Sequence, residues 1–194
     1  MAVLARPSAP SFSVLDPTSR SFAWRLGAVF AGALFLTLSS YVVVPMYPVP
    51  TTMQTFAVML VGAVYGWRLG AVTILAWLAE AAAGLPVLAG GAGGLAHFAG
   101  PTAGYLLAFP IAGATVGWLA ERGWNGRRFG LALAAMLIGA AICLAIGFAW
   151  LSVLIGMEKA FALGVAPFVV AAAAKAVLAA AALGGLDRLR RRSA

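Results

Sequence analysis

Lys175, in the run PFVVAAAAKAVLAAAALGG, carries the most chemical meaning in this 194-residue chain. With Pro167 suited to the first turn of a helix, Lys175 lies about eight residues in, roughly 12 Å along the axis at 1.5 Å per residue. A cation near a bilayer centre costs about 2.5–3.5 kcal/mol, so it must face a cavity or a partner, or snorkel to the surface. Its helical neighbours Phe168, Ala171, Ala172 and Ala179 are mostly small and leave room for a ligand or another helix. Glu80, in LAWLAEAAAGLP, is the acidic residue set inside an apolar run, and it can pair with Lys175 or accept hydrogen bonds from a polar ligand. The stretch PVPTTMQT adds Thr51, Thr52, Gln54 and Thr55, whose hydroxyls and amide both donate and accept and so suit a neutral polar ligand. Thr52 is equally placed to cap a following helix. Tyr41, Tyr47 and Tyr105 fall near the same end, where an interfacial aromatic belt also puts tyrosines.

Other chemistries are excluded by what is missing. His97 has no second metal-type ligand near it in sequence, so no metal site is expected. Cys143, the single cysteine, lies inside AAICLAIGFAW and reads as a small core residue. There is no G-x-x-x-x-G-K-[ST], so the chain is not its own ATPase. No Ser/His/Asp set, H-E-x-x-H or intramembrane carboxylate pair is present, which leaves a membrane hydrolase unsupported. The expectation is binding without chemistry and without a cofactor.

The elements that position these residues follow from composition. The chain is 63% apolar and 9% charged with a mean hydropathy of +1.01, beyond what a soluble surface tolerates. Six spans of about 20 residues would use nearly all of it. Apolar windows place them at Phe22 to Val44, Thr55 to Trp67, Leu69 to Leu85, Gly104 to Leu119, Phe129 to Ile155 and Pro167 to Leu186. The second and third are short and separated only by GWRLG, so four or five spans remain open. The expected fold is an all-α integral membrane bundle of six transmembrane helices at 22–187. It is flanked by a Pro- and Ser-rich tail at 1–21 and a basic tail at 188–194.

The net charge of +8 is spread over helix ends rather than gathered in a groove with interleaved aromatics, so nucleic acid is not an expected partner. It reads as a topology signal. With the N-terminus inside, cytoplasmic segments hold Arg6, Arg20, Arg25, Arg68, Arg122, Arg127, Arg128, Arg188, Arg190, Arg191 and Arg192, 11 of the 13 basic residues. Both termini are then expected in the cytoplasm. PMYPVPTTMQT, GLPVLAGGAGGLAHFAGPTAGY and GMEKAFALGVAP are left outside. Irregular backbone at that depth survives only where protein or a water-filled cavity satisfies it, which points to a built site on the outer face; long outer loops of no particular use are the plainer alternative. On the first span, Gly27 with Ala31 and Ala28 with Gly32 repeat small residues at spacing four, for close packing within the bundle or against a partner subunit.

On these residues the chain resembles the BioY family, the biotin-specific substrate-binding (S) components of energy-coupling factor (ECF) transporters. YPVPTTMQT is similar to that family's P-V-T-x-Q-T loop, and GLPVLAGGAGGLAHFAGPTAGY to its G-L-P-V-F-x-G-G-x-G-G and G-P-T-G-G-Y blocks. PFVVAAAAK keeps Pro167, Phe168 and Lys175 of a third block, P-F-x-x-G-D-x-x-K, but has Ala171 and Ala172 in place of its glycine and aspartate. The resemblance implies a compact six-helix membrane fold in the cell membrane with an outer-face biotin site. It implies Lys175 as a ligand contact, with Tyr41, Thr52, Gln54, Val87, Gly91, Gly94, Thr102 and Tyr105 around the ligand. Glu80 would supply the acceptor that the missing aspartate no longer provides. The implied partners are a transmembrane coupling subunit and two cytoplasmic ATPases, ATP being used only through them. An S component for another vitamin, a channel and a structural subunit are the rival readings; a channel should carry polar residues along several helices, and few are present.

Overall fold

The computed structural model describes residues 21–192. Its elements run α1 (Phe22–Tyr41), β1 (Val43–Val44), β2 (Thr51–Thr52), α2 (Gln54–Ala82), α3 (Ala103–Glu121), α4 (Phe129–Ile155), α5 (Met157–Gly164) and α6 (Ala166–Arg192). The short strands pair antiparallel, Val43 with Thr52 and Val44 with Thr51, and close a hairpin between α1 and α2. Of the expected tail at 1–21, residues 1–20 lie outside the described residues, and Ser21 caps α1 by accepting from the Trp24 N–H. The basic segment from residue 188 continues α6 as helix to Arg192.

Among the described residues five helical stretches are long and apolar enough to cross a membrane, against the six expected spans. The difference lies in α2, whose 29 residues include Gly66 at φ 78°, ψ 172°. That backbone reverses the chain. A Cβ on Gly70 would sit 3.0 Å from the Cα of Gly62, whereas eight residues of straight helix hold such positions about 12 Å apart. The two short apolar runs flanking GWRLG are thus a helical hairpin, 54–65 and 67–82, turned on one residue in a conformation glycine adopts without steric cost. Counted this way the described residues form six rods of alternating direction.

The rods pack closely because small residues let backbones meet. A Cβ on Gly62 would lie 2.2 Å from the carbonyl oxygen of Gly113, and one on Gly117 would lie 2.6 Å from the Trp67 nitrogen. Around this α2–α3 contact, Leu36, Val58, Ile74, Trp77, Phe109 and Cys143 form one buried cluster. Met59, Val116, Met136, Ala176, Ala180 and Leu183 form a second that carries α4 and α6. α1 packs mainly against α2. Ala28 and Gly32 face inward, with the Ala28 carbonyl accepting a 2.8 Å bond from the Tyr65 hydroxyl and Gly32 buried against Thr73 and Tyr65. Gly27 and Ala31 are exposed, and nothing lies within 4 Å of the position a Gly27 Cβ would take.

The described arginines collect at one end of the rods, whereas Lys159 lies in α5 and Lys175 at the cavity. Asp187, 3% exposed, accepts from Arg191 Nε at 3.0 Å and lies 3.9 Å from Arg127 Nε. Buried Asn125 closes the α3–α4 turn, donating from Nδ2 to the Ala120 carbonyl and accepting from the Arg127 N–H. Arg68 and Arg122 lie over the rings of Trp67 and Trp118. The hairpin, the 83–102 connection and α5 lie at the other end.

Candidate functional site

The 83–102 connection is irregular, with two short 3₁₀ turns at Ala89–Gly91 and Leu95–Phe98. Its polar backbone is satisfied by side chains reaching from the helices. Ser40 Oγ donates to the carbonyls of Val87 (2.7 Å) and Leu88 (3.2 Å), and Trp77 Nε1 also donates to Val87 (3.2 Å). The Tyr41 hydroxyl donates to the Pro86 carbonyl at 2.7 Å, and Trp150 Nε1 to the Gly100 carbonyl at 2.9 Å. The Gly94 N–H donates to the Ala81 carbonyl at 2.7 Å. Non-helical backbone at membrane depth requires this provision, since each unmade hydrogen bond there costs several kcal/mol.

Between this connection, the hairpin and helices α2, α3, α4 and α6 lies a cavity of about 320 Å³, in the range of sites that enclose a small organic ligand. Val49, Leu88, Leu106, Phe109, Leu144 and Phe168 give it an apolar wall. Thr52, Gln54, Thr55, His97, Thr102, Tyr105 and Lys175 are its polar members, and no acidic side chain lines it. The Lys175 ammonium donates to the backbone carbonyl of Thr52 at 2.6 Å, tying α6 to the hairpin. Thr52 Oγ1 donates to Gln54 Oε1 (2.9 Å) and accepts from the Gln54 N–H (3.3 Å). Thr52 is therefore not the residue that caps α2; that position is taken by Met53, without a side-chain bond. Tyr105 stands in a slot with its hydroxyl donating to the Gly164 carbonyl at 2.7 Å and its ring stacked on Phe168 at 6.4 Å. The slot exists because Gly147 has no Cβ, which would lie 2.2 Å from that ring.

Of the ten expected ligand contacts, Thr52, Gln54, Thr102, Tyr105 and Lys175 line the cavity. The other five do not. Glu80 neither lines it nor pairs with Lys175, whose ammonium is already bonded to a nearer carbonyl. It sits on the flank of the buried stripe Ile74, Trp77, Leu78 and Ala81, half exposed. Tyr41 and Gly91 support the connection from outside, the position of a Gly91 Cβ being 3.2 Å from the Tyr41 hydroxyl. Val87 is buried in the core cluster and Gly94 is bonded back to α2. In an irregular loop, neighbours alternate between ligand side and support side, and a motif marks the block without telling the two apart. His97 and Ala172 complete the wall. His97 has no metal partners in sequence, and its place in the loop block is the signal that puts it at the cavity. Among the described residues no cluster of three His, Cys, Asp or Glu could hold a metal.

The model of the BioY family matches residues 14–192. The chain belongs to the BioY family. It is 42% identical over 150 residues to a probable biotin transporter BioY of Pyrococcus horikoshii, covering 76% of this chain and 88% of that one. It is 43% identical over 141 residues to the biotin transporter BioY of Rhizobium etli, covering 69% and 75%. A crystal structure of the S-component for biotin from an ECF-type ABC transporter superposes with a TM-score of 0.76 at 26% identity, covering 89% of this chain and 95% of that one. BioY membership and the apolar helices make this chain a multi-pass membrane protein of a transporter family.

Proposed function

We propose that the chain captures biotin in the 320 Å³ cavity as the substrate-binding component of an ECF-type transporter. The observation that carries this reading is Lys175, an intramembrane cation in the wall of an apolar cavity that has no acidic side chain. A ligand with an apolar ring system and one carboxylate complements it: the anion compensates the ammonium, and the rings meet Phe109, Leu144 and Phe168. A cationic vitamin such as thiamine would face Lys175 with no anion to receive it, which disfavours that rival.

Charge counting supports a cavity on the outer face, with the Asp187 end and both termini on the cytoplasmic side. Binding, not bond chemistry, is the act, and no cofactor is required. Movement across the membrane would be driven by a transmembrane coupling subunit with two cytoplasmic ATPases, and the exposed Gly27 and Ala31 stripe of α1 is the proposed contact for it. The test is equilibrium binding of the purified chain in detergent to biotin, riboflavin and thiamine. Saturable binding of biotin alone is the expected result. Absence of biotin binding at micromolar ligand, or equal binding of all three, would overturn the reading.

A further inference from the structure

The turn between α3 and α4 and the end of α6 are distant in sequence and locked together in the fold. Gly126 lies so close to α6 that a Cβ there would sit 2.5 Å from the Leu183 carbonyl oxygen and 3.0 Å from the Asp187 Cβ. Buried Asn125 fixes the turn from within, its carbonyl accepting from the Arg128 N–H at 2.9 Å. The Asp187 side chain is 5% exposed, yet the two arginine side chains that reach it, Arg127 and Arg191, are 56% and 57% exposed. Arg191 is bonded through Nε, which leaves its two Nη groups for an acceptor outside the protein. Segments 125–130 and 183–192 together hold six arginines, Arg127, Arg128, Arg188, Arg190, Arg191 and Arg192, against the one carboxylate of Asp187.

A bias of positive charge toward one side of a membrane needs only that arginines lie on that side. It does not need a buried carboxylate that gathers two segments into one patch, here with six positive charges against one negative. The patch lies where the apolar rods end. At the same end the exposed rings of Trp67 and Trp118 carry the guanidiniums of Arg68 and Arg122 at 5.0 and 3.4 Å from their centroids. Tryptophans mark the headgroup level of a bilayer, and a guanidinium stacked through its face still offers its edge donors to a phosphate. A lipid phosphodiester is an anion held at that depth, and clustered arginines next to a span suit it. We propose that Arg127, Arg128 and the arginines of 188–192 form a docking surface for the headgroups of anionic phospholipids, with Asp187 as the buried anchor that keeps turn and helix end together. This surface lies at the opposite end from the cavity and does not depend on the biotin reading.

The test measures the association of spin-labelled phosphatidylglycerol and phosphatidylcholine, alike in their acyl chains, with the full chain reconstituted in phosphatidylcholine bilayers. The parent should prefer phosphatidylglycerol by about fivefold or more, and the preference should fall as salt is raised. Replacing Arg128, Arg188, Arg190 and Arg192 together by Gln leaves the Asp187 pairs in place and should bring the preference to within about twofold of parity. The same four positions as Lys should keep most of it, since the charge remains. Lys159→Gln, on α5 at the other end, should keep all of it. Equal association of the two lipids with the parent would overturn the proposal, and so would an undiminished preference in the four-Gln variant. Loss of the parent's preference on adding millimolar glycerol 3-phosphate would make the patch a site for free phosphates instead and overturn the lipid assignment. A four-Gln variant that keeps the lipid preference but fails in uptake with a coupling complex would assign the patch to a protein partner.

Discussion

The two ends of the bundle use their polar side chains differently. At the Asp187 end the charges are paired within the protein, Asp187 with Arg127 and Arg191, and Asn125 and Glu121 bond the backbone of the turns that close that end, Glu121 accepting from the Trp67 N–H at 3.2 Å. At the cavity end Ser40, Tyr41, Trp77 and Trp150 bond backbone carbonyls of the 83–102 connection, while the Lys175 ammonium at the cavity wall bonds the Thr52 carbonyl and has no carboxylate partner. The first pattern closes a surface. The second holds irregular backbone in place around a space, which is what a binding site in an apolar setting demands.

The comparison is broken most severely by filling the space. Ala172 lines the cavity on the face of α6 that carries Phe168 and Lys175, so Ala172→Trp should abolish biotin binding while thermal unfolding in detergent stays near that of the parent. Lys175→Ala comes next. It removes a charged hydrogen-bond donor, and a loss on the order of a hundredfold in biotin affinity is expected by titration. Gly147→Ala puts a methyl into the Tyr105 ring position and should cost about tenfold in affinity as Tyr105 leaves its bond to Gly164, with a lowered unfolding temperature.

Changes at the opposite end should leave binding alone. Asp187→Asn weakens the contact between α6 and the α3–α4 turn; a loss of about 1–2 kcal/mol in stability, with unaltered biotin affinity, is expected from denaturation and titration of the same sample. Smallest is Gly27→Leu on the exposed stripe of α1, which should shift the stability of the isolated chain by less than about 0.5 kcal/mol. Any large effect of Gly27→Leu should appear only in uptake assays with a coupling complex.

Much of this was legible in the residues, and the rest was not for identifiable reasons. Hydropathy places the rods, and helical spacing puts Phe168, Ala172 and Lys175 on one wall, because both depend on local periodicity. The reversal at Gly66 hides inside GWRLG, since one positive φ leaves no trace in composition beyond a glycine. The split of Ala28 and Gly32 from Gly27 and Ala31 depends on where Tyr65 and Thr73 lie. Tyr41 on α1, Glu80 on α2, and Val87, Gly91 and Gly94 in the 83–102 connection do not line the cavity; for the three loop residues the facing is decided by distant partners such as Ser40 and Ala81, which no local pattern reports.

The central claim is that biotin occupies this cavity with its carboxylate toward α6, and determination of the biotin-bound structure tests it most directly. The account predicts one biotin per chain between the hairpin, the 83–102 connection and α6, its carboxylate within hydrogen-bond distance of Lys175 Nζ. A ligand bound elsewhere, or one seated with its carboxylate turned away from Lys175, would contradict it.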